Sequence, residues 1–355
     1  MRHADSSTRG HIGRAMQKPG GMLLMAGALS VLAALAVRRK TRQAEREHPP
    51  TGQFIDVDGV RLHYLERGQG QPLVLLHGNG NMAEDFNISG LLDIAAAKYR
   101  VIAFDRPGYG YSERPRGKPW TPQAQANLLH HALQLLGVER PIVAGHSWGT
   151  LVAISLALKY PASVRSLVLL SGYYFPTWRL DALALSVPAI PLLGDLMRYT
   201  ISPLLTRLMW PMLVRQLFGP SATPARFARF PVWLALRPRQ LRASAGESGL
   251  LIPATIALRN RYRELDMPVS ILTGDADRIV DAQQQSIRLH GEIVQSDLRL
   301  APGVGHMLHY LAPQRIMAAI DAAASASTGV PELNATPAEI PSSEALDLHY
   351  PGGRM

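Results

Sequence analysis

The chain has 355 residues, of which 47% are hydrophobic and 18% charged, with a formal net charge of +10 and no cysteine. Without cysteine there can be no disulfide, no thiol nucleophile and no thiolate metal site. So few charges for so much apolar content point to a membrane segment or a large core.

The charge is unevenly spread. Residues 1–48 hold nine Lys/Arg against three acids, and residues 173–264 hold twelve Arg, no Lys and four acids. Two basic blocks suit an anionic surface as neighbour, with solvated helix faces as the plainer alternative. No nucleic-acid-binding motif accompanies the arginines, so no nucleic-acid partner is expected.

The first element in chain order is apolar. Residues 21–37, GMLLMAGALSVLAALAV, carry no charge and run directly into Arg38-Arg39-Lys40. A membrane-spanning helix needs roughly 20 apolar residues, with ~17 the practical minimum. Residues 1–48 therefore read as an N-terminal tail with a single-pass membrane anchor at 21–37. Two rivals are a secretory signal peptide, with Ala34-Leu35-Ala36 as its small-x-small site, and upstream sequence from a mis-called start. The basic cluster after the run resists export, and its tight spacing favours a cytoplasmic catalytic domain over an exported or periplasmic one. Residues 41–52, charged and then Pro-rich, read as a short linker.

From Phe54 onward short apolar runs alternate with helix-like stretches. Phe54–Val57 and Arg61–Glu66 flank Asp58-Gly59, a hairpin signal. Pro72–Leu76, Val101–Phe104, Ile142–Ala144, Leu167–Leu170 and Val269–Leu272 are continuous apolar runs, as strands buried on both faces of a parallel sheet should be. Helices are expected at about 84–98, 121–137, 148–160, 282–291 and 312–326. Thr121-Pro122 supplies an N-cap with proline at the first helical position, and Gly137 a stop. The alternation implies a mostly parallel, doubly wound α/β sheet. It spans 53–172 and 265–326. Between them, 173–264 is rich in Leu, Arg and Pro and reads as a helical cap over the carboxyl ends of the strands. Residues 327–355 lack periodicity and read as a disordered tail.

The chemistry concentrates in three places. Gly145-His146-Ser147-Trp148-Gly149 lies between a strand and a helix. A nucleophile elbow needs small residues two before and two after the nucleophile, and Gly145 and Gly149 supply them. Ser147 is the candidate nucleophile, beside a helix N-terminus whose partial positive charge favours an oxyanion. A serine hydroxyl needs a base. His306, behind Gly305 in a loop after strand Leu298–Ala301, is preferred over His309. The base needs an orienting acid. Asp277, beyond strand Val269–Leu272, is preferred over Asp275 and Asp281, which suit turns or caps.

With these motifs in place the chain resembles the α/β-hydrolase fold superfamily, in the order Ser, Asp, His and over roughly 53–326. His77-Gly78-Asn79-Gly80 resembles the family's oxyanion loop. By that resemblance the backbone N–H groups of Asn79 and Trp148 are the oxyanion donors. Asp105-Arg106-Pro107-Gly108-Tyr109-Gly110-Tyr111-Ser112 is similar to a family loop with a structural role. Asn79 and Trp148 also match haloalkane dehalogenases, but those enzymes and epoxide hydrolases attack with Asp. Ser147 with a histidine base suits acyl transfer instead. The Gly-x-Ser-Trp-Gly core resembles iminopeptidases, whose substrate ammonium would need more acids than this cap offers.

The expected function is hydrolysis of an ester or thioester through an acyl-enzyme on Ser147, on an apolar or amphiphilic small-molecule acyl substrate. No metal or cofactor is required. The alternatives are carbon–carbon or amide hydrolysis by the same residues, and a non-catalytic ligand-binding protein on the same fold.

Overall fold

The structure is a computed structural model that describes residues 19–177 and 185–326. The expected tail at 327–355 therefore lies outside the described residues. Helix α1 spans Pro19–Glu47. Its residues are mostly good helix formers, basic cluster included, and Pro49-Pro50 ends any continuation. The expected linker at 41–52 is thus corrected, because residues 41–47 belong to the helix. From Gly21, α1 is long and apolar enough to cross a membrane. Leu23, Leu24, Leu29 and Leu32 are exposed, whereas Val37 and Ala44 are buried.

Among the described residues eight strands form one sheet in the order β1-β2-β4-β3-β5-β6-β7-β8. Strands β1 (Gln53–Val57) and β2 (Val60–Arg67) make the expected hairpin around Asp58 and Gly59, both at positive φ. Strand β2 also pairs antiparallel with β4, and the remaining pairs, which link β4, β3 (Gln71–Leu76), β5, β6, β7 and β8, are parallel. The expected helix at 84–98 is two short ones, α2 (Glu84–Ile88) and α3 (Leu91–Ala96). Gly90 at φ 79° breaks them, a left-handed residue no helix interior accepts. Strand β4 (Tyr99–Phe104) follows, then α4 (Pro122–Leu135), capped by Thr121 Oγ1 accepting from Ala124 N–H at 3.2 Å. Next come β5 (Ile142–His146), α5 (Gly149–Lys159) and β6 (Ser166–Leu170).

The chain then leaves the sheet. Among its described residues, the stretch before β7 holds α6 (Leu193–Tyr199), α7 (Ile201–Phe218), α8 (Val232–Ala235) and α9 (Pro238–Leu258). Strand β7 (Val269–Gly274) resumes the sheet, followed by a π turn at Gln283–Ile287, α10 (Arg288–Glu292), β8 (Ser296–Ala301), α11 (Leu308–Leu311) and α12 (Pro313–Ala326).

Strand residues alternate between two apolar layers, which is why these runs have no polar face. Val74, Leu76, Val143 and Leu169 pack with α4 and α5. Leu73, Leu75, Ala144 and Leu170 pack with α2, α3 and α12. This double burial fixes the height of every strand end, and the candidate residues sit on those ends.

Candidate active site

Ser147 follows β5 directly, at φ 52°, and α5 starts two residues later. A non-glycine residue in that region carries strain, and such outliers concentrate at functional sites. A Cβ at Gly145 would stand 2.7 Å from the Gly149 carbonyl oxygen, and one at Gly149 would collide with the Leu76 carbonyl. The turn can be this tight only with glycine at both positions. Ser147 N–H donates to Leu170 O at 2.8 Å, which ties the elbow to β6.

His306 Nδ1–H donates to Asp277 Oδ2 at 2.8 Å, so the loops after β7 and β8 meet as expected. Asp277 Oδ1 accepts the N–H groups of Ile279 (2.8 Å) and Val280 (3.0 Å). Burial pushes the Asp277 carboxyl up, but His306 and these two amides outweigh it and hold it below its ordinary value. The backbone of His306 is gripped as well. Its N–H donates to Leu217 O at 3.1 Å, and His146 Nε2–H donates to its carbonyl at 3.0 Å. His146, the neighbour of Ser147, thus links the elbow to the His306 loop. Burial, then the adjacent His306 and His309, keep His146 neutral. Among the described residues Ser147 Oγ has no hydrogen-bond partner, His306 included; such contacts commonly tighten only when substrate binds.

The competitors have other work. Asp275 Oδ1 accepts Gly303 N–H and Asp281 Oδ1 accepts Gln284 N–H, both at 2.7 Å, as turn and cap groups do. His309 Nε2–H donates to Asp85 Oδ2 at 2.6 Å.

Asn79 and Trp148 flank Ser147 from two chain segments. Gly78 backs onto the serine, since a Cβ there would lie 2.9 Å from Ser147 Cβ. Among the described residues, nothing accepts the backbone N–H of Asn79 or of Trp148. Unpaired backbone donors in a half-buried or buried place are uncommon, and two beside one serine hydroxyl are what an oxyanion needs.

The Asp105 loop is structural, as expected. The Asp105 carboxylate collects His63 Nδ1–H (2.7 Å), Ala83 N–H (2.8 Å) and Tyr111 N–H (2.8 Å). Sequence reasoning missed its neighbour Arg106 and the α9 residue Glu247, which form an ion pair with both side chains fully buried. Burial raises the Glu247 carboxyl and the Arg106 charge more than offsets it. An arginine inside a loop of small and aromatic residues was a usable signal for Arg106. Nothing local marked Glu247, one acid among the four expected in the cap. Several cap arginines are not solvated either: Arg198 pairs with Asp195, Arg226 donates to Tyr310 O, and Arg237 pairs with Glu45 of α1.

Residues 71–313 match the alpha/beta hydrolase fold family, and the chain belongs to it. It is a hydrolase of that family. An uncharacterized protein of Mycobacterium tuberculosis is 27% identical over 297 residues, 79% of this chain and 83% of that one. A 2-hydroxymuconate semialdehyde hydrolase of Pseudomonas putida is 34% identical over 138 residues, 38% of this chain and 48% of its own. Among solved structures, a membrane phospholipase A described as a bacterial virulence factor superposes with a TM-score of 0.60 at 22% identity. That match covers 90% of this chain and 99% of the other.

Proposed function

We propose that the protein hydrolyses an ester or thioester through an acyl-enzyme on Ser147. His306 takes the serine proton, and Asp277 holds the imidazole in the Nδ1–H tautomer and stabilises its cation. The N–H groups of Asn79 and Trp148 receive the oxyanion, and water then releases the acyl group. No cofactor takes part. The observation that carries this reading is the 2.8 Å His306–Asp277 contact, set beside a strained serine with two unclaimed N–H donors.

The substrate is apolar or amphiphilic. Leu193, Leu196, Ile201, Leu205 and Leu208 are exposed on α6 and α7, and α1 packs against both helices. Leu23, Leu24, Leu29 and Leu32 of α1 are exposed too. Residues 173–264 act as the cap, and 21–37 as a single-pass membrane anchor with the catalytic domain on the cytoplasmic side.

A fluorophosphonate probe tests the nucleophile. It should label wild type and spare Ser147→Ala; a folded wild type that takes no label would overturn the proposal. A panel of p-nitrophenyl esters, vinylogous diketones and aminoacyl anilides tests the bond. Preference for the diketones would favour the carbon–carbon chemistry that the Pseudomonas putida relative's name describes. A soluble form should begin near Val37, because removing all of 1–48 would strip packed residues and the Glu45 partner of Arg237.

A further inference from the structure

Arg106 has no exposed surface, and every N–H of its guanidinium is used. Nε–H donates to His77 O at 2.8 Å. One Nη2–H donates to Gly78 O at 3.0 Å and the other to Glu247 Oε2 at 3.1 Å. The Nη1 hydrogens go to Gln125 Oε1 at 3.0 Å and to Glu247 Oε1. Two backbone carbonyls just before Asn79 are therefore held by one immobile cation.

Peptide geometry gives that grip a consequence. In a trans peptide the C=O and the following N–H point in opposite directions. Gly78 O is drawn toward Arg106, and His77 Nδ1–H donates to it as well, at 2.8 Å. His77 is neutral: burial, then Arg106, push it down to about 4, and its Nε2 accepts Arg106 N–H, which leaves its one proton on Nδ1. The Asn79 N–H shares its peptide with the Gly78 carbonyl, so it must point away from the guanidinium.

Glu247 reaches both proposed donors. Its backbone carbonyl accepts Trp148 Nε1–H at 3.3 Å. Its Oε2 lies 2.7 Å from the Tyr109 hydroxyl, which lies 2.9 Å from Asn79 Oδ1. One residue of α9 thus contacts the side chain of Trp148 directly and that of Asn79 through Tyr109.

We infer that Arg106 and Glu247 are positioning residues that aim the Asn79 N–H at the oxyanion, so that α9 must be seated for the oxyanion site to be complete. This rests on the serine-hydrolase reading above. The test is Glu247→Gln, which keeps the shape and removes the charge. It is read by kcat and KM on a p-nitrophenyl ester and by inhibition with an alkyl trifluoromethyl ketone, whose adduct with a serine carries an oxyanion. Losing one oxyanion donor typically costs about 10²–10³ in kcat, so a mis-aimed donor should cost about 30-fold. KM should stay within about threefold, and ketone inhibition should weaken by the factor lost from kcat. Tyr109→Phe leaves the ion pair intact and should shift both readouts the same way by about fivefold; it decides the matter if Glu247→Gln does not fold. A folded variant with unchanged kcat and ketone inhibition, or a loss confined to KM, overturns the inference. Failure of the underlying reading looks different, because wild type itself would then neither cleave the ester nor take a fluorophosphonate.

Discussion

His306 and His309 stand in the same stretch of chain, and each donates to an aspartate, at 2.8 and 2.6 Å. Their surroundings differ. Asp277 fills its second oxygen with backbone N–H groups, and among the described residues His306 Nε2 has no partner. Asp85 also collects the Tyr310 hydroxyl, at 2.7 Å, and Asn81 Nδ2. The His309 ring is wholly buried, edge-on to Phe86 and His146. A histidine–carboxylate contact therefore does not make a base. The remaining nitrogen must face a place that a substrate can occupy, and for His309 it faces the protein interior.

Substitution should separate the two pairs sharply. His306→Ala is expected to lower kcat/KM by about 10⁴-fold or more, and also to cost some stability, because the buried Asp277 loses its partner and keeps only its two backbone N–H donors. Ester-hydrolysis kinetics alongside a thermal melt check this, and a fully active, folded variant would reverse the assignment. His309→Ala should differ in sparing the chemistry. Activity per folded molecule should hold within a few-fold, while urea unfolding shows a loss of about 3 kcal/mol, because Asp85 loses a buried partner. A large fall in kcat with stability unchanged would put His309 in the chemistry.

A third buried imidazole sharpens the contrast, since among the described residues His77 has no carboxylate as a hydrogen-bond partner. Its pKa is lowered from 6.5 to about 4 by burial and Arg106. Between those values the unfolded chain binds the proton and the folded chain does not. His77 thus contributes stability that is fully present above pH 6.5 and is lost as pH falls toward 4. The amount is roughly 3 kcal/mol at 1.36 kcal/mol per unit. Urea midpoints across that window should fall in wild type and fall less in His77→Asn. Equal slopes would mean that the folded protein protonates His77 freely. The paired carboxylates Asp277 and Glu247 are held below their ordinary 3.8 and 4.5, so their contributions are lost only at lower pH.

The sheet was legible because parallel strands buried on both faces leave continuous apolar runs, and Pro72–Leu76 and Leu167–Leu170 each became one. The elbow was legible because steric need writes Gly145 and Gly149 into five consecutive residues. Helix ends depended on single residues: Gly90 split one expected helix, and Pro49-Pro50, rather than the basic cluster, ended α1. Arg106–Glu247 was out of reach. The partners lie 141 residues apart, and a buried ion pair has no period, spacing or local composition. Charge counting gave Glu247 only as one of four acids in 173–264, whereas its environment comes wholly from tertiary packing.

Helix α1 passes without interruption from its apolar residues through Arg38-Arg39-Lys40 to Glu45, which pairs with Arg237 at 3.0 Å. Its 29 residues extend roughly 43 Å at about 1.5 Å per residue. In the membrane setting proposed above, this is a strut and not a tether. It has no swivel between bilayer and enzyme, so the tilt of the helix in the lipid sets the angle at which the enzyme meets the surface. A change in bilayer thickness that alters that tilt would re-aim the whole catalytic body, Ser147 included.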